Sequence, residues 1–170
     1  LLQNDKAIEQ VGFIEKPENP DADLRLQMMG GEFCGNATRA ASYLWAKEHN
    51  LSHLKIEVSG FTGILRAEID KDNVTIHFPG NFFINAQNTE DGKLIDLMGI
   101  RILIMQSEKI ENKIPGLLEK YKENQPALGL IYAMIDDKIS IDPVVWVRET
   151  DTCYNETACG SGSIAAAIEA

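Results

Sequence analysis

Cysteine is scarce in this chain, three among 170 residues, at positions 34, 153 and 159. No two of them form a Cys-x-x-Cys pair, so the common zinc and dithiol patterns are absent. An odd count, in a chain whose opening LLQNDKAIEQ lacks a basic-then-apolar leader, makes a disulfide framework a poor expectation. Reduced thiols and a cytoplasmic location are the expectation instead. Basic residues are outnumbered, 16 Lys and Arg against 26 Asp and Glu, for a net charge of -10. A nucleic-acid backbone would be repelled by that balance, and no Lys/Arg stripe offsets it. Long hydrophobic runs are missing too. LGLIYAMI, Leu128 to Ile135, is under half of the ~20 residues a membrane helix needs, so no membrane partner is expected.

What is present is the composition of a soluble globular protein, 44% hydrophobic and 25% charged, long enough for one domain or two small ones. Leu24, Leu26 and Met28 alternate in LRLQM, which predicts a half-buried strand. After Cys34 the period lengthens: Ala37, Ala40, Ala41, Leu44 and Trp45 predict one core-facing helix stripe that ends near EHN. KIEVS, ILRAEI and VTIHF then read as strands, with DKDN as a hairpin turn. The Gly, Asn and Asp rich PGNFFINAQNTEDGK interrupts this pattern and reads as the boundary between two halves, 1–85 and 86–170. Beyond it, IRILIM, LGLIYAM, KISI and PVVWV predict strands, and Pro115 stands where a helix begins. Ile164 and Ile168 lie four apart in an Ala-rich helix after Cys159. The expected class is α+β.

Two cysteines recur in one setting. Cys34-Gly35-Asn36-Ala37-Thr38 is followed, after one position, by Ala40-Ala41; Cys159-Gly160-Ser161-Gly162-Ser163 is followed likewise by Ala165-Ala166. Each cysteine stands at a helix start, where unsatisfied N–H groups and the positive dipole end favour an anion. A thiolate is such an anion. A free thiol has a pKa of about 8.5, and a favourable helix end contributes up to ~2 kcal/mol, or about 1.5 pK units. That brings a thiol near neutrality, where it both gives and takes a proton. Gly35 and Gly160 leave room for a ligand against the backbone amides. Two such turns gripping one carboxylate would set a sulfur on each face of the neighbouring carbon. This arrangement inverts a stereocentre, and it needs sulfurs roughly 6 to 7 Å apart.

Other residues read more plainly. Cys153, in TDTCYN, is expected as a small core residue. A metal site built from the thiols and His77 is the weaker alternative. His49 and His53 are expected as solvated side chains in a polar loop, Trp45 and the Ala stripe as core, and Glu119, Lys120, Lys122 and Glu123 as an exposed helix face.

At FCGNATRA and ACGSGS the chain resembles the diaminopimelate epimerase family of cofactor-independent amino-acid racemases and epimerases. EQVGFIE, GEFCGNAT, EVSG and ETACGSGS make it most similar to the histidine racemase branch. The resemblance implies two pseudo-symmetric halves, each wrapping mixed strands around a central helix, with the active site in the cleft between them. It implies Cys34 and Cys159 as the acid–base pair, and Gly35, Asn36, Gly160 and Ser161 as holders of the substrate α-carboxylate. It also implies substrate-facing roles for Gln10, Gln27 and Glu149. It implies no metal and no cofactor, pyridoxal phosphate included, a small amino-acid substrate, and a homodimer.

Departures from the family narrow the substrate. Thr150 stands where diaminopimelate enzymes carry the Arg that binds a distal carboxylate, which points toward another side chain, histidine among them. The family's opening strand and long tail have no counterpart here, so the chain as given is expected to be incomplete at both ends. Diaminopimelate epimerase or another small-acid isomerase of this fold, and a non-catalytic ligand-binding protein of this fold, are the alternatives.

Overall fold

The structure is a computed structural model, described here for residues 9–109 and 111–170. It is α+β, with two sheets and few helices, and it divides into two compact units, Leu1–Phe82 and Phe83–Ala170. Among the described residues no helix is long and apolar enough to cross a membrane.

Among the described residues of the first unit five strands lie in sequence order: β1 (Gly12–Glu15), β2 (Leu24–Met28), β3 (His53–Val58), β4 (Leu65–Asp70) and β5 (Asn73–His77). Neighbours pair antiparallel except β2 and β3, which are parallel and joined by the helix α1 (Gly35–His49). A parallel pair needs such a crossover. Leu24, Leu26, Met28, Leu54, Ile56, Val58, Leu65 and Ala67 alternate onto the buried face, and α1 packs on β2 to β5. At ~25 cal/mol per Å² of apolar area, each of the Leu, Ile, Val and Met side chains among them contributes about 1.5 to 3 kcal/mol. Lys71 takes the left-handed conformation, φ 55°, in the β4–β5 turn.

Helix α1 ends where the sequence predicts, at Asn50 with φ 54°, but it turns a different face inward. Gly35, Thr38, Ala41, Ser42 and Ala46 are buried, while Ala40 is exposed, Trp45 is half-buried and Leu44 is 61% exposed. Thr38 tolerates burial because its hydroxyl donates to the Cys34 carbonyl at 2.7 Å, one turn back. His49 and His53 are not loop residues. His49 sits in the last turn of α1, its ring stacked on Trp45 at 4.1 Å, and His53 opens β3.

The second unit carries six strands: β6 (Phe83–Asn88), β7 (Lys93–Leu97), β8 (Ile100–Met105), β9 (Ala127–Ile135), β10 (Ile139–Val147) and β11 (Thr152–Asn155). The stretch read as a boundary therefore contains a short 3-10 turn, Gly80–Phe82, and the largely exposed edge strand β6. β8 and β9 are the parallel pair, bridged by α2 (Ile114–Tyr121), which begins with Pro115 in its first turn. KISI and PVVWV form one strand, β10, with Pro143 inside it.

β9 is buried on both faces from Ala127 to Ala133, because helices cover both. On one side α2 joins Leu103, Leu128, Leu130, Tyr132 and Trp146 in a core cluster. α3 (Gly160–Glu169) packs on β8, β9 and β10, with Gly162 against Ile131. Lys120 lies on an exposed face of α2, as expected, and is bound there to Glu90 and Asp91 in the β6–β7 turn. That bond holds the Asp91 carboxyl below the usual carboxylate range. Cys153 is exposed rather than part of the core, since its side of β11 alternates outward.

Candidate active site: two cysteine-capped helices

Both repeated cysteines are N-caps. Cys34 is extended, φ -127° and ψ 110°, and its Sγ accepts the Ala37 N–H at 3.4 Å. Cys159 has φ -132° and ψ 111°, and its Sγ accepts the Gly162 N–H at 3.4 Å. The likeness continues through the next turn. The Cys34 carbonyl accepts from the Thr38 N–H at 3.0 Å and hydroxyl at 2.7 Å; the Cys159 carbonyl accepts from the Ser163 N–H and hydroxyl, both at 2.9 Å.

This is the position where Ser, Thr, Asp or Asn normally satisfies a free amide with oxygen. Neutral sulfur is a weak acceptor, whereas a thiolate is a charged one. A helix N-terminus in general stabilises an anion, and a thiolate is the anion a cysteine cap can supply. Sequence spacing indicated the cysteines; it did not single out the amides of Ala37 and Gly162, which only the folded turn brings to sulfur.

The remaining candidates are spread over both units. Gly35 is buried and Asn36 half-buried in the first turn of α1. Asn36 lines a shallow groove with Arg39, Ala40, Tyr43, Asp72 and Val74. Gln10 precedes β1, half-buried, next to Val11, whose carbonyl accepts from Met29 in the loop that leads to Cys34. Gln27 lies on β2 on the opposite side from the buried Leu26 and Met28. Its amide donates to the Met28 carbonyl at 3.0 Å and accepts from Arg25 at 3.1 Å. In the second unit Gly160 is half-buried and Ser161 buried at the start of α3. Glu149 is exposed in the turn between β10 and β11. Next to it, Arg148 donates to the backbone carbonyls of Gln125 and Lys122.

One residue escaped the sequence reading. Glu32, two positions before Cys34, is completely buried, and burial pushes its carboxyl above the usual range. Its only sequence signal is a charge set in the otherwise small and apolar GGEFCG. Among the described residues no three His, Cys, Asp or Glu side chains are grouped to hold a metal.

Fold and site together define an α+β protein with twin helices, each capped by a cysteine. Residues 2–170 match the family described as the histidine racemase CntK N-terminal domain, and the chain belongs to that family. Among curated proteins it is similar to a histidine racemase of Fusobacterium nucleatum subsp. nucleatum, 34% identical over 177 residues, covering 92% of this chain and 63% of the relative. A second strain's histidine racemase is 32% identical over 92% of this chain and 64% of its own length. The histidine racemase of Staphylococcus aureus (strain Mu50) is 26% identical, covering 91% of this chain and 62% of the relative. The chain thus spans a little under two thirds of these proteins' length.

Proposed function

We propose that this chain carries both working thiols of an amino-acid racemase that inverts the α-carbon of histidine without pyridoxal phosphate or metal. Family membership and the relatives' activity support the racemase and histidine as substrate. The single observation behind the two-thiol mechanism is the matched cap geometry of Cys34 and Cys159, sulfur to amide at 3.4 Å in each.

In this mechanism one cysteine is a thiolate and the other a thiol. The thiolate removes the α-proton and becomes a thiol, leaving a carbanion delocalised into the carboxylate. The second thiol returns its own proton to the opposite face and becomes the thiolate. Enantiomer and protonation states have exchanged, and nothing else is consumed. Backbone amides of Gly35, Asn36, Gly160 and Ser161 hold the α-carboxylate where negative charge grows, a form of stabilisation that often dominates such reactions. Gln10, Gln27 and Glu149 contact the rest of the substrate. The reduced thiols suit the cytoplasm, and light scattering tests the homodimer.

Turnover of L- and D-histidine in deuterated water is the test, with a panel of other amino acids and diaminopimelate beside it. Two bases place solvent deuterium in the product enantiomer and little in recovered substrate early in the reaction. Equal early labelling of both pools contradicts the scheme, and binding without exchange points to a non-catalytic protein.

A further inference from the structure

The loop between β2 and α1 contains an acid that the proposed reaction does not use. Glu32 is 0% exposed, and among the described residues neither carboxyl oxygen has a hydrogen-bond partner of normal geometry. A buried carboxylate without donors or a cation is far costlier than a buried carboxylic acid. The amides of Glu32 itself and Gly30 offset the burial only in part, and no charged side chain contributes. Met28, Phe33, Ser59 and Gly60, which bound this loop, bring no ionisable group.

The backbone on either side is fixed. Ser59 donates from its hydroxyl to the Glu32 carbonyl at 2.8 Å and accepts from the Met28 N–H at 2.9 Å. Gly60, φ +73°, lies so close that a Cβ there would stand 2.4 Å from the Phe33 nitrogen. Phe33 is buried edge-on against Phe78 and Phe82. Gly31 makes the turn before Glu32 with φ +71°, and Cys34 follows as the cap.

We propose that Glu32 is a positioning residue for Cys34. As an uncharged, buried carboxylic acid it fixes the loop entering α1 so that the thiol arrives as the helix cap, and it leaves negative charge in this turn to the sulfur alone. The proposal rests on the reading of Cys34 as a working thiol. An ionised Glu32 would set a second negative charge within two residues of the thiolate, at most ~7 Å of chain, and like charges disfavour each other's ionisation. Glutamine keeps the shape without a charge; alanine removes the side chain and leaves the loop only its Ser59 and Gly60 contacts.

The experiment compares the wild-type chain with Glu32→Gln and Glu32→Ala. Iodoacetamide alkylation of the Cys34 peptide is followed by mass spectrometry between about pH 5 and 10, a range that spans ordinary thiol titration. Carbon-13 NMR follows the glutamate carboxyls, with Glu32 assigned by its absence in E32Q. In E32Q the alkylation rate stays within about twofold of wild type and the midpoint is unchanged. In E32A the midpoint moves toward the ~8.5 of a free thiol, and alkylation near neutral pH slows about threefold or more. The Glu32 resonance keeps its proton to higher pH than the other glutamates.

The proposal is overturned if E32A titrates like wild type, if E32Q shifts Cys34 as far as E32A does, or if Glu32 titrates with the exposed carboxyls. Should E32A not fold, E32Q and the NMR titration decide. Neither readout needs turnover. Failure to racemise histidine therefore leaves this result standing, and a failed result here leaves racemisation to its own test.

Discussion

The cysteine turns of the two units share a hydrogen-bond pattern and differ in what holds them. In the first unit the support is the Ser59-Gly60 turn, whose Ser59 hydroxyl donates to the Glu32 carbonyl and whose Gly60 backbone lies against Phe33. In the second it is a side chain of the sheet. A Cβ at Gly162 would stand 2.7 Å from Ile131 Cδ1 and 3.3 Å from the Cys159 Cβ, while the equivalent Ala37 already carries one. Exposure differs as well, with Cys34 half-buried and Cys159 only 7% exposed. One cap motif can therefore be built from two kinds of packing, because the cap needs only an extended residue ahead of a helix. What surrounds it is free to vary.

The largest effect tests whether the two turns do equivalent work. Cys34→Ala and Cys159→Ala should each lower histidine racemisation by at least about a hundredfold, the lower range for losing a positioned acid–base group. Full activity in either variant breaks the equivalence.

Stability separates the supports. Gly60→Ala combines a backbone clash with positive φ and should cost roughly 3 kcal/mol. Gly162→Ala presses on a buried but flexible Ile131 and should cost about 1 to 2 kcal/mol, helix propensity offsetting part of the strain. Urea unfolding measures both, and a reversed order would show that the second turn is the more tightly held.

The first turn makes its own contribution to the pH dependence of stability. Because burial raises Glu32, the folded unit keeps a proton that the unfolded chain has released above about pH 4.3. Unfolding then releases that proton, so this contribution to stability falls as pH rises from the unfolded pKa toward the folded one. Its slope cannot exceed about 1.4 kcal/mol per pH unit for one group. Glu32→Gln should remove the slope, which urea midpoints across pH will show; an unchanged slope assigns it elsewhere.

The smallest contrast lies in the hydroxyls on the cysteine carbonyls. Thr38→Val, at a fully buried site, should cost about 1 kcal/mol. Ser163→Ala, exposed, should cost under about 0.5 kcal/mol. Equal losses would mean that burial does not govern this bond.

Much of this architecture was legible. LRLQM, ILRAEI and VTIHF match β2, β4 and β5, and Pro115 opens α2. The errors fall where local pattern is degenerate. A helix rich in Ala and small polar residues offers several adjacent stripes, and α1 buries Thr38 and Ser42 in place of Ala40 and Leu44. β6 gives no strand signal because FINAQN does not alternate: Phe83 and Ile84 are adjacent, and Asn, Ala and Gln follow on an exposed edge. KISI and PVVWV were split at Pro143, yet its carbonyl still accepts from Glu156 at 3.0 Å within a continuous strand. Of the candidate site, the cysteines and their glycines could be read from the repeat; the orientation of Gln27 and the burial of Glu32 could not.

The sequence by itself determined most of the elements and the paired cysteine caps, because strand period, helix starts and cap residues act over a few neighbouring positions. Tertiary structure alone decided which face of α1 is buried, that Cys153 is exposed, and that Glu32 lies out of water. Those outcomes depend on burial by residues distant in the chain, and even the Glu32 carbonyl is bound by a hydroxyl 27 positions away.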